Sequence, residues 1–179
     1  MVYMFLANGF EEVEALCPLD LLRRAGVEVT TVGVGGEAVI GSHGIGVMAD
    51  IPDTMYRDSK PEMVILPGGM PGTTNLDNSP TVELALRAAA ANGAYLCAIC
   101  AAPMVLGKRG YLQGKRATCF PGFEEHLAGA EATGEPVVTD GRVITARGMG
   151  VALEFGLALV AALCGEEKAN ELRRTVQAV

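Results

Sequence analysis

Cys100 is the residue around which chemistry can be built. It follows the apolar run Ala94–Ile99 and is itself followed by two alanines and Pro103. A buried strand that ends on a nucleophile-type residue and turns at once into a helix places that residue at the carboxyl edge of a sheet. In open α/β folds that edge is where sites form. Pro103 suits a first helical turn, where a missing N–H costs nothing. Cys100 then faces the free N–H groups and positive dipole end of that helix, which favours thiolate over thiol. The alternative is a buried structural thiol, because free cysteine packs as a small hydrophobe.

A thiolate needs a partner, and magnitudes show why. A thiol with a pKa of ~8.5 is only slightly ionised at neutral pH. Lowering it by ~3 units takes about 4 kcal/mol, whereas a helix terminus supplies only about 0.3–2 kcal/mol. A hydrogen bond to a charged group adds about 1.5–3 kcal/mol, so a donor is required. Glu14 is the candidate, because it shares an otherwise apolar row with Cys17, Pro18, Leu21 and Ala25, at helical spacing. Burial would keep its carboxyl protonated and able to donate, while an ionised carboxylate would repel the thiolate. Leu16 and Leu19 lie on the other side of the same helix, so the row alone does not place Glu14 beside Cys100.

Other chemistries fit less well. Cys97-Ala-Ile-Cys100 has dithiol spacing, but the first cysteine of such a motif opens a helix, and Cys97 lies within the strand. Zinc needs further Cys or His at ligand spacing, and His43 and His126, the only histidines, form no such pattern. No metal and no cofactor are expected. Neither histidine is marked as a base for Cys100. The loop Pro67-Gly68-Gly69-Met70-Pro71-Gly72 does not reproduce a dinucleotide fingerprint. Placed after a strand, it could let backbone N–H groups approach a substrate oxygen, although many Gly/Pro loops are plain turns.

The elements that must position these groups read as follows. Strands are predicted over Val2–Leu6, Val27–Val34, Met63–Leu66 and Ala94–Ile99. A helix starts in the acidic run at Glu11, carries Pro18, which should bend it, and stops at Gly26. Further helices are predicted over Thr81–Asn92 and after Pro103. Gly35–Asp50 reads as a hairpin and 51–60 as a polar turn, followed later by a strand at Arg116–Cys119 and a short helix at Pro121–Leu127. Pro136–Thr139 and Arg142–Thr145 form a hairpin through Asp140-Gly141. Two helices close the chain, one ending near Cys164-Gly165 and one over Glu166–Ala178. Strands alternating with helices predict a single α/β domain over 1–179, with a mostly parallel sheet covered on both faces.

Composition narrows the partners. A net charge of −7 argues against binding to a nucleic-acid backbone or an anionic membrane surface. Gly148–Leu163 is too short for a transmembrane helix and carries Glu154. Val2–Leu6 reads as a strand rather than a signal peptide. Five cysteines do not suggest a secreted disulfide framework. A soluble, cytoplasmic protein is expected.

Five stretches carry a resemblance: Ala7–Glu14, Arg23–Gly26, Leu66–Gly69, Ala98–Pro103 and Thr145–Gly148. With them in this order, the chain resembles the ThiJ/PfpI superfamily, in its DJ-one branch and of bacterial type. The resemblance implies a flavodoxin-like three-layer sandwich and a homodimer. It implies a reactive Cys100 on a strained elbow, Glu14 as its acidic partner, and backbone donors at Gly68 and Gly69, with Ala101 beside them. Arg24 and Arg147, within matched stretches, become candidates for supporting roles. So does His43, which stands where some relatives supply an arginine from the partner subunit. Activities implied are glutathione-independent glyoxalase, deglycase, redox-regulated chaperone and oxidative-stress sensor, the last through Cys100 sulfinic acid. Older labels in the family are thiazole monophosphate biosynthesis and protease. Phe120 departs from the histidine many members carry, which leaves Glu14 as the obvious acid/base group. Ala101 stands where the protease-like branch has a histidine, so peptidase activity is not expected. The expectation is therefore attack of Cys100 on a small dicarbonyl such as methylglyoxal, or on an adduct of one. The competing expectation is a non-catalytic sensor or chaperone.

Overall fold

All six residues of β1, Val2–Ala7, are buried, and their alternation divides the interior in two. Val2, Met4 and Leu6 enter one apolar cluster, while Tyr3, Phe5 and Ala7 enter another. A strand apolar on both sides belongs in the middle of a sheet covered by helices on both faces. The computed structural model, which describes residues 1–57 and 60–178, has that architecture.

The other elements, in chain order, surround this strand. They are α1 (Glu12–Arg24), β2 (Val29–Val34), β3 (Ala38–Ile40), β4 (Gly46–Met48), β5 (Ile51–Pro52) and β6 (Met63–Leu66). Then come α2 (Gly72–Asp77), α3 (Pro80–Ala91), β7 (Tyr95–Ile99) and α4 (Pro103–Lys108). β8 (Arg116–Ala117), β9 (Glu131–Ala132), β10 (Val137–Asp140), β11 (Val143–Ala146), α5 (Ala152–Cys164) and α6 (Glu166–Thr175) complete the chain. Seven strands form the main sheet in the order β10-β11-β7-β6-β1-β2-β5. Among the described residues, only the β10–β11 hairpin within it is antiparallel. Helices α1, α5 and α6 cover one face, while α2, α3 and α4 cover the other.

Two local devices hold the covering helices. Ser79 caps α3 by accepting from the Val82 N–H at 3.3 Å, as a short hydroxyl side chain does at a helix start. Pro18 lies within α1 where α5 crosses it, and a Cβ at Gly156 would fall 2.9 Å from Pro18 Cα and 2.6 Å from Leu21 Cδ1. The glycine lets the two helices approach closely.

Several expectations change. The Arg116–Cys119 strand is only two residues long and pairs with β9 outside the main sheet. The Pro121–Leu127 helix is a single 3₁₀ turn, Glu124–His126, entered through Gly122 at φ 95°. The segment 51–60 contributes the edge strand β5 and a 3₁₀ turn at Asp53–Met55; its residues 58 and 59 lie outside the described residues. Helix α2 has no counterpart in the sequence reading, because Gly72 and the residues around it carry turn composition.

Candidate functional site

Period-two alternation along β7 sends Cys97 and Ile99 toward α1 and Leu96 and Ala98 toward α3. Continued by one residue, it would point Cys100 at α3. The backbone instead turns to φ 65° at Cys100, a left-handed value rare outside glycine. The side chain packs against the α1 side, half-buried. Two hydrogen bonds fix the bend, from Cys100 N–H to the Ala146 carbonyl and from Phe120 N–H to the Cys100 carbonyl, each 2.8 Å.

Glu14, on the first turn of α1, is 1% exposed. Its Oε2 accepts from the Gly68 N–H at 3.0 Å, and its carboxyl hydrogen-bonds the Cys100 side chain. The three groups meet so closely that a Cβ on Gly68 would lie 2.5 Å from Glu14 Oε2 and 2.6 Å from Cys100 Cβ. The loop is tied to the helix start by Glu11 N–H to the Gly68 carbonyl, 2.9 Å. The Glu11 side chain caps α1 by accepting from Glu14 N–H at 2.7 Å.

The electrostatics revise the sequence reading. Burial is the main cause that raises the Glu14 carboxyl to about 7, with the Glu11 charge adding to it. The Cys100 thiol is not lowered. Burial first, then the charge of Glu14 and the hydrogen bond with it, push the thiol up to about 12, against the pull of the Ala101 and Gly69 N–H groups. Two acids in one buried site do not ionise together, so the pair is neutral below about pH 7 and carries one negative charge above it. The anion on sulfur is then one tautomer of the pair, reached when Glu14 takes the proton.

The other residues singled out in the sequence divide. Gly69 and Ala101 direct N–H groups at Cys100. Gly68 does not, since its N–H is committed to Glu14. His43 reaches α1 at Glu12 instead of Glu14: its N–H donates to Glu12 Oε1 at 2.7 Å and its Nδ1 lies 2.8 Å from Oε2. Burial alone would raise Glu12, but the His43 hydrogen bonds outweigh it and hold the carboxyl at about 2. The Glu12 hydrogen bond and charge in turn raise His43. Arg24 is exposed at the far end of α1, paired with Asp20 at 2.6 Å, so it takes no part in the site. Arg147 directly follows Ala146, whose carbonyl holds Cys100, and lines a cavity of about 420 Å³ with Phe120, Gly148 and Met149. His126 sits in the 3₁₀ turn, 3.7 Å from Glu125. Cys97 is fully buried and unbonded, its thiol pushed well up by burial alone.

Among the described residues, Glu11, Glu12 and His43 bring possible metal-ligand atoms within 4.8 Å of one another. All three already have protein partners. Sequence reasoning missed Glu11, whose capping role is hidden in a run of acidic residues. It also missed the Ala146 and Phe120 main-chain groups, which carry no signal in side-chain type.

A profile of the DJ-1/PfpI family matches residues 1–162. Protein dj-1beta of Drosophila melanogaster is 38% identical over 174 residues, 96% of this chain and 93% of that one. Its crystal structure superposes with a TM-score of 0.93 at 36% identity, covering 99% of this chain and 97% of the other. The glutathione-independent glyoxalase DJR-1.2 of Caenorhabditis elegans is 33% identical over 164 residues, 90% and 87% of the two chains. Oxidized Toxoplasma gondii DJ-1 superposes with a TM-score of 0.94 at 31% identity, over 98% and 97%. No described helix is long and apolar enough to cross a membrane.

Proposed function

The chain belongs to the DJ-1/PfpI family, and on that footing we propose a cysteine-dependent protein that acts on small reactive dicarbonyls or their adducts, of glyoxalase or deglycase type. The observation that carries this reading is the Glu14 carboxyl hydrogen-bonded to Cys100 beneath Gly68. Glu14 takes the thiol proton, and the sulfur attacks the carbonyl carbon. The new oxyanion is stabilised by the Gly69 and Ala101 N–H groups, since donors aimed at developing charge lower a barrier most. Glu14 then returns the proton, acting alone because Phe120 supplies no imidazole. No cofactor enters this scheme.

Steady-state consumption of methylglyoxal tests it. The wild type should exceed a free thiol, and Cys100→Ser should lose at least about 10³-fold, the scale on which losing a nucleophile is felt. Turnover no better than a free thiol, or equal in Cys100→Ser, removes the proposal.

A second reading is an oxidation sensor, favoured by a half-exposed Cys100 whose sulfur faces two N–H donors and a protonatable carboxyl. Those groups would hold the oxygens of a sulfinic acid. Mild peroxide should then add two oxygen atoms at Cys100 ahead of the other four cysteines, as read by mass spectrometry. Uniform oxidation removes this reading.

The same proposal includes one domain over 1–179, a cytoplasmic location and a homodimer. Exposed Val13, Ile40, Ile45 and Met48 support the homodimer. They lie on the start of α1 and on the β3–β4 hairpin, which the Glu12–His43 contact joins, and apolar surface of this kind marks protein contacts.

A further inference from the structure

At the opposite end of β7 from Cys100 lies a cavity of about 520 Å³, lined in part by Lys60, Glu62, Asn92, Tyr95 and Arg142. Tyr95 opens the strand that Cys100 follows, so roughly 16 Å of chain separates the two at ~3.3 Å per residue. Arg142 lies over the Tyr95 ring, its guanidinium carbon 4.4 Å from the centroid, and that stacking fixes where its charge sits. Neither Arg142 nor Lys60 has a side-chain hydrogen bond or ion pair among the described residues. The potential competitor, Glu62, lines the same cavity but forms no ion pair with either cation among the described residues. Asn92 donates one side-chain N–H to the Ala88 carbonyl at 2.8 Å, which leaves its second amide N–H as a further donor. In a chain of net charge −7, two cations in one cavity that pair with no described carboxylate are a site for an anion from outside.

We propose that this cavity binds the phosphate group of a small molecule. Arg142 offers a planar fork of donors and Lys60 a point charge, a combination matched by a dianionic tetrahedral group with several acceptor oxygens. Tyr95, Ala162 and Leu163 supply an apolar wall for whatever the phosphate is attached to. The site is independent of the Cys100 chemistry.

Titrating inorganic phosphate into the ¹⁵N-labelled full chain tests this, at constant ionic strength. Amide signals of Gly93, Tyr95 and Leu163 should shift saturably. Arg142→Gln and Lys60→Gln should each weaken binding by about tenfold or more, in spectra that otherwise remain those of the folded protein. Arg147→Gln, at the Cys100 end, should leave phosphate binding unchanged. A parallel titration with glycerol phosphate separates the sources: tighter binding than inorganic phosphate identifies a phosphorylated organic ligand, and equal binding identifies the free ion. No shift at millimolar phosphate overturns the proposal. So do shifts confined to Gly69, Ala101 and Gly148, acetate binding as tightly as phosphate, or affinity unchanged in both variants.

Discussion

Glu14→Gln should make the protein more stable at about pH 8 while silencing Cys100, a combination that a merely structural Glu14 would not give. The sign follows from linkage. The Glu14 carboxyl rises from 4.5 to about 7 on folding, so between those values the folded state holds a proton that the unfolded chain has released. Stability therefore falls as pH rises from about 4.5 to about 7, and the loss persists in full above that. A shift of this size corresponds to ~3 kcal/mol at most, at 1.36 kcal/mol per unit. Glutamine cannot ionise, so it escapes that loss while its oxygen can still accept from the Gly68 N–H. It cannot take the thiol proton, however. Dicarbonyl consumption should fall by about 10²–10⁴-fold, the usual contribution of a positioned acid–base group. Urea unfolding near pH 5 and near pH 8 should show the variant matching the wild type at the lower pH and exceeding it at the higher. Alkylation of Cys100 should rise through about pH 7 in the wild type only. A variant less stable than wild type near pH 8, or an unchanged alkylation profile, would refute the coupling.

The order of elements was legible because it rests on periodicity and punctuation. β1, β6 and β7 are short apolar runs, α3 is framed by Ser79-Pro80 and Gly93, and the β10–β11 turn is Asp140-Gly141. What was not legible depends on tertiary contact. The residue pattern predicts a strand over Arg116–Cys119, yet among the described residues the pairing with β9 stops at Ala117. Gly72 begins a helix although its composition says turn. At the site, residue type pointed to Cys100 and Glu14 because few other residues could do chemistry. Their electrostatics could not be read, since the thiol environment depends on how much of it is buried and on a second acid in contact. A helix dipole favours a thiolate, but α4 is only six residues long and starts at Pro103. Burial and the Glu14 charge outweigh it. Nor could sequence tell that Gly68 serves Glu14 while Gly69 serves Cys100, because adjacent glycines differ there only in the direction of an N–H.

Gly68→Ala should separate the reactive pair and destabilise the fold at the same time. Gly68 has no left-handed backbone to preserve, so the effect is purely one of space. Its new methyl would sit 2.5 Å from Glu14 Oε2, 2.6 Å from Cys100 Cβ and 2.9 Å from the Ile99 carbonyl oxygen. The last two cannot yield cheaply. Ile99 is strand backbone, and Cys100 is pinned on either side by Ala146 and Phe120. Glu14 must therefore leave, or the loop must move and break its bonds to Glu11 and Glu14. Overpacking of this kind costs about 1–3 kcal/mol, and a displacement of about 1 Å at a reacting pair costs on the order of 10²-fold in rate. Gly150→Ala is the control, since a Cβ there meets nothing within 4 Å, and its stability should stay within about 0.5 kcal/mol of wild type. Denaturant midpoints and methylglyoxal consumption read both effects. If Gly68→Ala keeps wild-type stability and turnover, the close approach of Gly68 is not what holds Glu14 against Cys100, and the pair must be positioned by α1 and the elbow alone.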